Sequence, residues 1–553
     1  MLEHDSYWAR ALSRRLSRRV ALKAGAIAAL GAASLALVGC EGGGKTGPAG
    51  TSTPQAGQPK YGSTLVQGRA VDPVGLDPHT DLASMDIFVK MYSNLYFLTP
   101  GRQAQMNLAE SMEMPDRQTF IFALRQGAKF HDIDPVNGRE ITSEDVRYSF
   151  TRRGTDILSI DKRFWTLIQR GMETPDPYTF KVTLGQPFVP AFIEMGNPTW
   201  CVVPQEAVKR FDTLKQNAIG SGPYMLQRFV RAESVEMIKN PNFFLPGRPY
   251  LDGYKYVVIP SNDTLLAAFK SGQHDVSGAG LDALRVKDLQ ANKDVTVFKT
   301  PNFFYPVLVL NLNRPPFKDI KVREAIDLAI DRQELIDKIA FGEGNFNGPI
   351  QWGHTFWALP QDELRAFFRH DADRARQLLA EAGHEGGFSV TLKTANVSGF
   401  WADTVTLIAQ QLGRVGINVD LQFMELGTWL ATVAFPGNFD MGFAVQLPYD
   451  EPDRPLTFYH SLGVTGGGNT AGVLTKDIDQ LIEKQRVTFD ENERQKIIQD
   501  AQRLIIQQHG PHMPLFSSYM YAAFWNRVKG WWPPDEAGTY ANIFNWDLWL
   551  DKA

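Results

Sequence analysis

The stretch FSVTLKTANVSGFWADTVTLIAQQLGRVGINVDLQFM, residues 388–424, decides the fold class. Its two ends, FSVTLKT and INVDLQFM, are rich in apolar and β-branched residues, a composition typical of strands. Between them, WADTVTLIAQQLGRV carries apolar residues at helical spacing. A strand, a helix and a second strand in this order predict a parallel βαβ unit with a right-handed crossover. We therefore expect an α/β protein with mixed sheets.

Helices with clear start signals lie on both sides of this unit. Residues 371–383, DADRARQLLAEAG, place Asp371 at the N-cap and Gly383 after the last turn. Residues 490–510 repeat the pattern, with Asp490 at the N-cap. An aspartate at this position accepts hydrogen bonds from amides that the first helical turn leaves free. Both helices are therefore predicted with defined starts.

The first forty residues have the composition of an export signal. Twin arginines in SRRVALK (17–23) precede a weakly apolar stretch that is too short to cross a bilayer comfortably. LVGC (37–40) resembles a bacterial lipobox, in which the cysteine is lipidated and becomes the first mature residue. The pattern predicts a signal peptide over residues 1–39 and lipidation of Cys40; the alternative is a signal-anchor helix with an incidental cysteine. Residues 40–60, rich in Gly, Ser, Thr and Pro, are expected to be a flexible tether.

The net charge argues against some classes of partner, and the cysteine content argues against a disulfide. Removal of the signal peptide takes away six basic and two acidic residues, so the formal net charge changes from −4 to −8. An acidic body argues against nucleic acid or an anionic membrane face as a partner. Cys201 is the other cysteine of the chain, so no internal disulfide is expected, and we interpret it as a small buried hydrophobe. About 500 residues remain, which predicts two or more lobes.

Enzyme signatures are sparse. The sequence lacks a G-x-S-x-G elbow, an H-E-x-x-H pair and a C-x-x-C pair, and we expect no catalysis, no metal and no cofactor. His509 and His512 are separated by a Gly-Pro pair that breaks any shared helix, and DEPD (450–453) is interpreted as a solvated loop. Aromatic residues are abundant. Six tryptophans are expected in loops that could line a cleft: Trp352, Trp357, Trp401, Trp429, Trp531 and Trp532.

Three further stretches resemble a known family. They are NLAESMEMPDRQTFIFALRQGAKFHDIDPVNGREITSEDVRYSF (107–150), GSGPYMLQRF (220–229) and LNLNRPPFKDIKVREAIDLAIDRQELI (310–336). Their motifs and their order are similar to those of the family 5 solute-binding proteins of bacterial ABC importers, the peptide, nickel and opine group. The likeness begins near residue 61 and continues to the end of the chain.

The resemblance implies an architecture like that of type II periplasmic binding proteins, with two main lobes, a small extra subdomain and a ligand cleft at the hinge. It implies that a monomer captures a small solute by hinge closure and delivers it to the transmembrane subunits of a permease, at the outer face of the cytoplasmic membrane. It assigns residues 61–90, 219–300 and 515–553 to lobe I, residues 91–218 to the extra subdomain, and residues 301–514 to lobe II.

The resemblance also implies where the ligand binds. Peptide-binding members carry an aspartate that pairs with the α-amino group of the peptide, and the aligned position here is Pro448. A buried ammonium without a partner is costly, although Asp450 or Glu451 could replace the aspartate if the loop is shifted. The candidate cleft residues are Ser84, Met85, Trp401, Trp429, Gln446, Pro448, Tyr449, Asp450 and Asn469.

Two ligand classes therefore remain open. One is a peptide or peptide-like solute; the other is a ligand without a free α-amino group, such as an oligosaccharide or an opine. Two alternatives concern the function itself. They are an anchored extracellular hydrolase and a chemoreceptor-linked sensor.

Replacing Cys40 with serine tests the lipidation prediction. Without its sulfur the residue cannot form a thioether, so we expect Cys40→Ser to release the protein from the membrane fraction while ligand binding is unchanged. Membrane fractionation and intact-mass measurement of the mature chain provide the readouts. Loss of ligand binding in this variant would contradict a purely tethering role.

Overall fold

The computed structural model describes residues 58–81, 84–99, 104–155, 162–277, 281–396, 399–446, 449, 451–461, 469–472, 474–531 and 546–552. The signal peptide, Cys40 and nearly all of the expected tether lie outside the described residues, as do Pro448 and Asp450. Within the described part of the chain, no helix combines the length and apolar character needed to cross a membrane.

The strands run in chain order as follows: β1 Thr64–Arg69, β2 Tyr96–Leu98, β3 Ala104–Met106, β4 Ala109–Glu113, β5 Thr119–Leu124, β6 Met172–Asp176, β7 Thr179–Thr183, β8 Tyr224–Val230, β9 Ser234–Lys239, β10 Gly253–Val258, β11 Val276–Ser277, β12 Val295–Pro301, β13 Tyr305–Leu310, β14 Gly344–Phe346, β15 Phe388–Ala395, β16 Ile417–Met424, β17 Met441–Gln446, β18 His512–Pro514, β19 Phe516–Trp525, β20 Val528–Lys529 and β21 Trp549–Leu550.

The helices are α1 Met85–Phe88, α2 Ser143–Thr155, α3 Lys162–Ile168, α4 Ala191–Met195, α5 Gln205–Phe211, α6 Asn262–Lys270, α7 Arg285–Gln290, α8 Ile320–Ala329, α9 Arg332–Ile339, α10 Gln361–Phe367, α11 Ala372–Glu381, α12 Gly399–Gly413, α13 Leu426–Trp429, α14 Asp453–Leu456, α15 Lys476–Val487 and α16 Glu491–Gln507. Short 3₁₀ turns lie at Pro198–Trp200 and Thr457–Tyr459, and a π-helical turn at Leu430–Ala434 extends α13.

Three sheets organise these elements. An eight-stranded sheet has the order β12-β19-β11-β1-β10-β9-β8, with β14 also paired to β19. A five-stranded sheet has the order β16-β15-β17-β13-β18, and a four-stranded antiparallel sheet has the order β4-β5-β7-β6. The two larger sheets mix parallel and antiparallel pairs, so the α/β class with mixed sheets is confirmed.

The predicted βαβ unit forms one side of the five-stranded sheet. β15 and β16 are parallel and in register from the pair Phe388 and Ile417 to the pair Ala395 and Met424, with α12 connecting them. β13 lies between β17 and β18, and all of its side chains are buried. Alternate residues of such a strand enter the hydrophobic cores on opposite faces of the sheet.

The predicted helix signals are also confirmed. The Asp371 carboxylate accepts a hydrogen bond from the Arg374 amide at 2.9 Å, and Asp490 accepts one from the Glu493 amide at 2.7 Å. Gly383, just after α11, has a φ of +84°. These bonds satisfy amides that would otherwise lack a partner at the helix start.

Two adjacent connections join the two larger sheets directly, and between β13 and β15 the chain also passes to the eight-stranded sheet at β14 and returns. Residues 302–304 join β12 to β13, and Leu515 alone joins β18 to β19. The Asn302 amide donates to the Ser518 carbonyl at 3.1 Å, and the Asn302 carbonyl accepts hydrogen bonds from Gln351 Nε2 at 2.9 Å and from Ser517 Oγ. The two crossings are therefore bonded to each other.

His131 joins two of the sequence motifs that are far apart in the chain. Its Nε2 lies 3.1 Å from the Gly222 carbonyl, and its Nδ1 accepts the Gly220 amide at 3.2 Å. One neutral imidazole thus donates to one glycine and accepts from the other. Burial lowers the pKa of His131 to about 4, partly offset by the bond to Gly222.

This geometry predicts a pH-dependent stability. Because the folded-state pKa lies below the ordinary 6.5, the unfolded chain takes up a proton first as the pH falls. The stabilisation is complete above pH 6.5 and is lost as the pH falls toward 4, by about 3 kcal/mol in all. We expect His131→Gln to be less stable at pH 7 and to have a flatter pH profile over this range in urea unfolding. Parallel profiles for the two proteins would contradict this role.

Candidate functional site

The candidate site is built where β13 begins and β17 ends, beside the crossing between the sheets. Tyr305 and Gln446 are directly paired across these strands, so their side chains project from the same face. The Tyr305 hydroxyl donates to the Pro349 carbonyl at 3.2 Å. Burial raises the pKa of Tyr305, and the neighbouring Tyr449 phenol adds to this effect. Tyr305 therefore supplies a neutral, fixed aromatic wall.

Gln446, Tyr449 and Trp429 provide polar groups at this position. Among the described residues, the Gln446 amide and the Tyr449 hydroxyl make no side-chain hydrogen bond. The Trp429 indole nitrogen is buried and also lacks a partner in that set, while its ring packs in the same core as Tyr305. A buried polar group without a partner is unfavourable, so such groups are candidates for contact with water or a ligand. All three are uncharged.

Tyr449 also lies near a charge from another part of the fold. Burial raises the pKa of its phenol, and the charge of Glu194 raises it further. Glu194 lies on α4 and pairs with Arg454 of α14, at 3.1 Å between Nε and Oε1 and 3.2 Å between Nη2 and Oε2. Sequence patterns gave no signal for Glu194 or Tyr305, because their roles depend on strand register and on contacts distant in sequence.

Residues 451–453 are buried, which corrects the expectation that DEPD is solvated for the part of this stretch that the structure describes. Glu451 is 2% exposed and forms an ion pair with Arg494. Asp453 is 4% exposed; it accepts Arg486 Nε at 2.5 Å and Gln485 Nε2 at 2.6 Å. Each carboxylate is neutralised by a buried arginine from α15 or α16. Glu451 is therefore committed to the fold and is unsuited to anchor a ligand ammonium.

Four other candidates have structural contacts. The Ser84 hydroxyl donates to Asp81 at 3.1 Å, and Met85 packs against the largest core. The Asn469 amide bonds the backbone of Ala471 and Gly472.

Trp401 has a structural role as well. Its indole donates to Thr394 Oγ1 at 2.5 Å, and its ring packs edge to face on Phe443, with centroids 5.4 Å apart. Phe443 lies on the face of the sheet opposite to Gln446.

The expectation that the tryptophans lie in loops is partly wrong. Trp401 lies in the helix α12 and Trp429 lies in the helix α13, so neither is a loop residue. Trp357 lies in a turn but is almost fully buried, with the Arg494 guanidinium over its ring at 5.2 Å. Trp352 packs edge to face on Tyr519. Packing against other side chains therefore accounts for Trp352, Trp357 and Trp401.

The residues that could act as a nucleophile or as metal ligands, Cys201, His509 and His512, do not form a reactive site. Cys201 is fully buried, its thiol donates to the Pro198 carbonyl, and burial raises its pKa far above the ordinary range. A thiol in this state is a poor nucleophile. His509 bonds Asp327, whereas His512 lies in β18. Within the described residues, no cluster of three or more His, Cys, Asp or Glu side chains could hold a metal ion.

Comparison with known proteins identifies the family. The model of the bacterial extracellular solute-binding proteins, family 5 Middle, matches residues 103–469. The chain belongs to this family. As a family 5 solute-binding protein, it serves as the binding component of an ABC importer.

Relatives of this solute-binding protein bind different solutes. The glutathione-binding protein GsiB of Escherichia coli (strain K12) is 26% identical over 490 residues, which cover 84% of this chain and 90% of GsiB. The oligopeptide-binding protein AppA of Bacillus subtilis (strain 168) is 25% identical, covering 90% of this chain and 93% of AppA. AgaA of A. tumefaciens R10, solved with agropinic acid, is 25% identical with a TM-score of 0.76 over 89% of this chain and 99% of AgaA. The two-lobed architecture of type II periplasmic binding proteins is confirmed.

Two substitutions test whether the Gln446 side chain faces the ligand, with Asn469 as the structural comparison. Gln446→Met removes an amide with no described hydrogen bond, so we expect stability to change by less than about 0.5 kcal/mol while ligand affinity falls about tenfold. Asn469→Ala breaks three bonds to the backbone and should cost about 2 kcal/mol of stability. Chemical unfolding and calorimetric titration measure the two quantities. A loss of stability in Gln446→Met equal to that in Asn469→Ala would assign Gln446 to the core.

Proposed function

We propose that the solute-binding protein captures a peptide or peptide-like solute outside the cytoplasmic membrane and encloses it by hinge closure. The observation that carries this proposal is the position of Tyr305, Gln446 and Tyr449 beside the two connections that join the large sheets. A ligand that contacts both sheets there favours the closed state, because closure adds contacts that the open state lacks. The names of GsiB and AppA, a glutathione binder and an oligopeptide binder, support a peptide-like ligand.

The proposed division into lobes follows the sheets closely. The strands of the eight-stranded sheet fall in residues 61–90, 219–300 and 515–553, with the end of β12 at the boundary, and those of the four-stranded sheet fall in residues 91–218. β13 and β15 to β18 fall in residues 301–514. β14 is the exception, since it lies in the last range but pairs with β19. β14 therefore adds a strand next to the start of β19, beside the proposed hinge.

A ligand without a free α-amino group is the second candidate. Proline at position 448 offers no anion, and Glu451 is already paired with Arg494. Gln446, Tyr449 and Trp429 are neutral donors and acceptors, which suit amide, hydroxyl or carboxyl groups of a solute. The complex of AgaA with agropinic acid gives this candidate a precedent in the family.

We also propose that the protein is a lipoprotein, anchored through Cys40 at the outer face of the cytoplasmic membrane. Residues 40–60 would give a monomeric binding domain enough reach to dock on its permease. Absence of catalysis belongs to the same proposal and is supported by the inert environment of Cys201. Hydrolysis of any bound peptide by the purified protein would count against it.

Native mass spectrometry of solute retained through purification tests the ligand class. We expect the mass of a peptide-like solute. The affinities of that peptide with a free and with an acetylated N-terminus then show whether the protein recognises the α-amino group. If Asp450 serves as the anchor, acetylation and Asp450→Asn should each weaken binding by about tenfold or more, the cost of an unpaired buried charge. A retained sugar or opine would overturn the peptide assignment in favour of the second candidate.

A further inference from the structure

One buried ion pair connects two parts of the fold that belong to different sheets. Glu194 lies on α4, in the chain segment that follows the four-stranded sheet, and Arg454 lies on α14, just after the five-stranded sheet. Their side chains are 8% and 17% exposed. Two parallel N–H···O bonds join them, which gives the contact a defined geometry as well as charge attraction.

A second contact lies beside the first. The Val189 amide donates to the Arg486 carbonyl at 2.7 Å, and the side chain of Arg486 holds Asp453. Asp453 and Arg454 are adjacent in α14. The same short helix is therefore held by α15 on one side and by the segment around α4 on the other.

This helix follows the candidate site residue Tyr449 closely in the chain. Tyr449 precedes α14 by only a few residues, and Glu194 is close enough for its charge to act on the Tyr449 phenol. A displacement of Arg454 away from Glu194 would consequently shift the chain that carries Tyr449. Removing one partner of a buried pair leaves an uncompensated charge, which is costlier than removing both.

We propose that Glu194 and Arg454 form a latch that positions Tyr449 from a separate part of the fold. Glu194 is then a positioning residue, acting on the solute site through Arg454 and α14. The latch couples the docking of the α4 segment to the position of Tyr449. Only its consequence for solute binding rests on the proposed function.

Hydrogen–deuterium exchange on the purified full chain without added solute tests the latch. We expect Glu194→Gln and Arg454→Gln each to raise the exchange of residues 451–460 and 188–195 by about tenfold or more. The double variant should exchange no faster than the faster single one, because both partners of one interaction are gone. The reversed pair, Glu194→Arg with Arg454→Glu, is expected to restore slow exchange to within about threefold.

A matched buried pair within one region provides the control. Asp327 binds Arg332 at 2.6 Å, and both side chains are nearly inaccessible. Asp327→Asn should lower the melting temperature without changing exchange at 451–460. Additive effects of the two latch substitutions, or a lower melting temperature with unchanged local exchange, would overturn the latch and leave a merely structural contact.

The solute measurement separates this inference from the proposed function. The dissociation rate of the copurifying solute should rise about tenfold in Glu194→Gln and stay unchanged in a surface variant such as Glu173→Gln. Absence of retained solute in every variant would count against the proposed function while the exchange data still decide the latch. Faster exchange at 451–460 with an unchanged dissociation rate would overturn the positioning role.

Discussion

The double crossing of the chain between its two large sheets is the constraint on which the rest of the structure depends. Each sheet is completed by strands on both sides of the crossing, since β12 and β19 are paired in one sheet while β13 and β18 are paired in the other. Neither sheet can form until distant parts of the chain meet. The hydrogen bonds around Asn302 hold the two connections together, so relative motion of the sheets must bend both at once.

The acidic loop shows why charge near a binding cleft does not by itself indicate how a ligand is recognised. Glu451 and Asp453 are each opposed by a buried arginine, and removing either member would leave a charge without compensation. Arg486 of α15 lies 33 residues after Asp453, and Arg494 of α16 lies 43 residues after Glu451. Glu451 and Asp453 are thus held in place by these ion pairs, whereas Gln446 makes no side-chain hydrogen bond among the described residues.

Local signals in the sequence predicted the fold well. Asp371 and Asp490 were predicted as helix caps because a cap depends on a few neighbouring residues, and the βαβ unit followed from periodicity within 388–424. The binding residues were harder to predict. Trp401 and Trp429 look alike in sequence, yet one indole bonds Thr394 while the other has no described partner. That difference depends on which face of the sheet each helix covers.

The neutral character of the described site bears on how the protein selects its solute. A site with a free carboxylate would select an ammonium by charge, whereas hydrogen-bonding groups select by shape and by the position of donors and acceptors. The Tyr305 hydroxyl is fixed by the Pro349 carbonyl, and Gln446 and Trp429 offer polar groups from β17 and α13. Since a charged solute loses its hydration on entry, it would need compensation from elsewhere in the cleft. Under the proposed function, recognition by these residues would rest on geometry, and their placement is set by the strand register between β13 and β17.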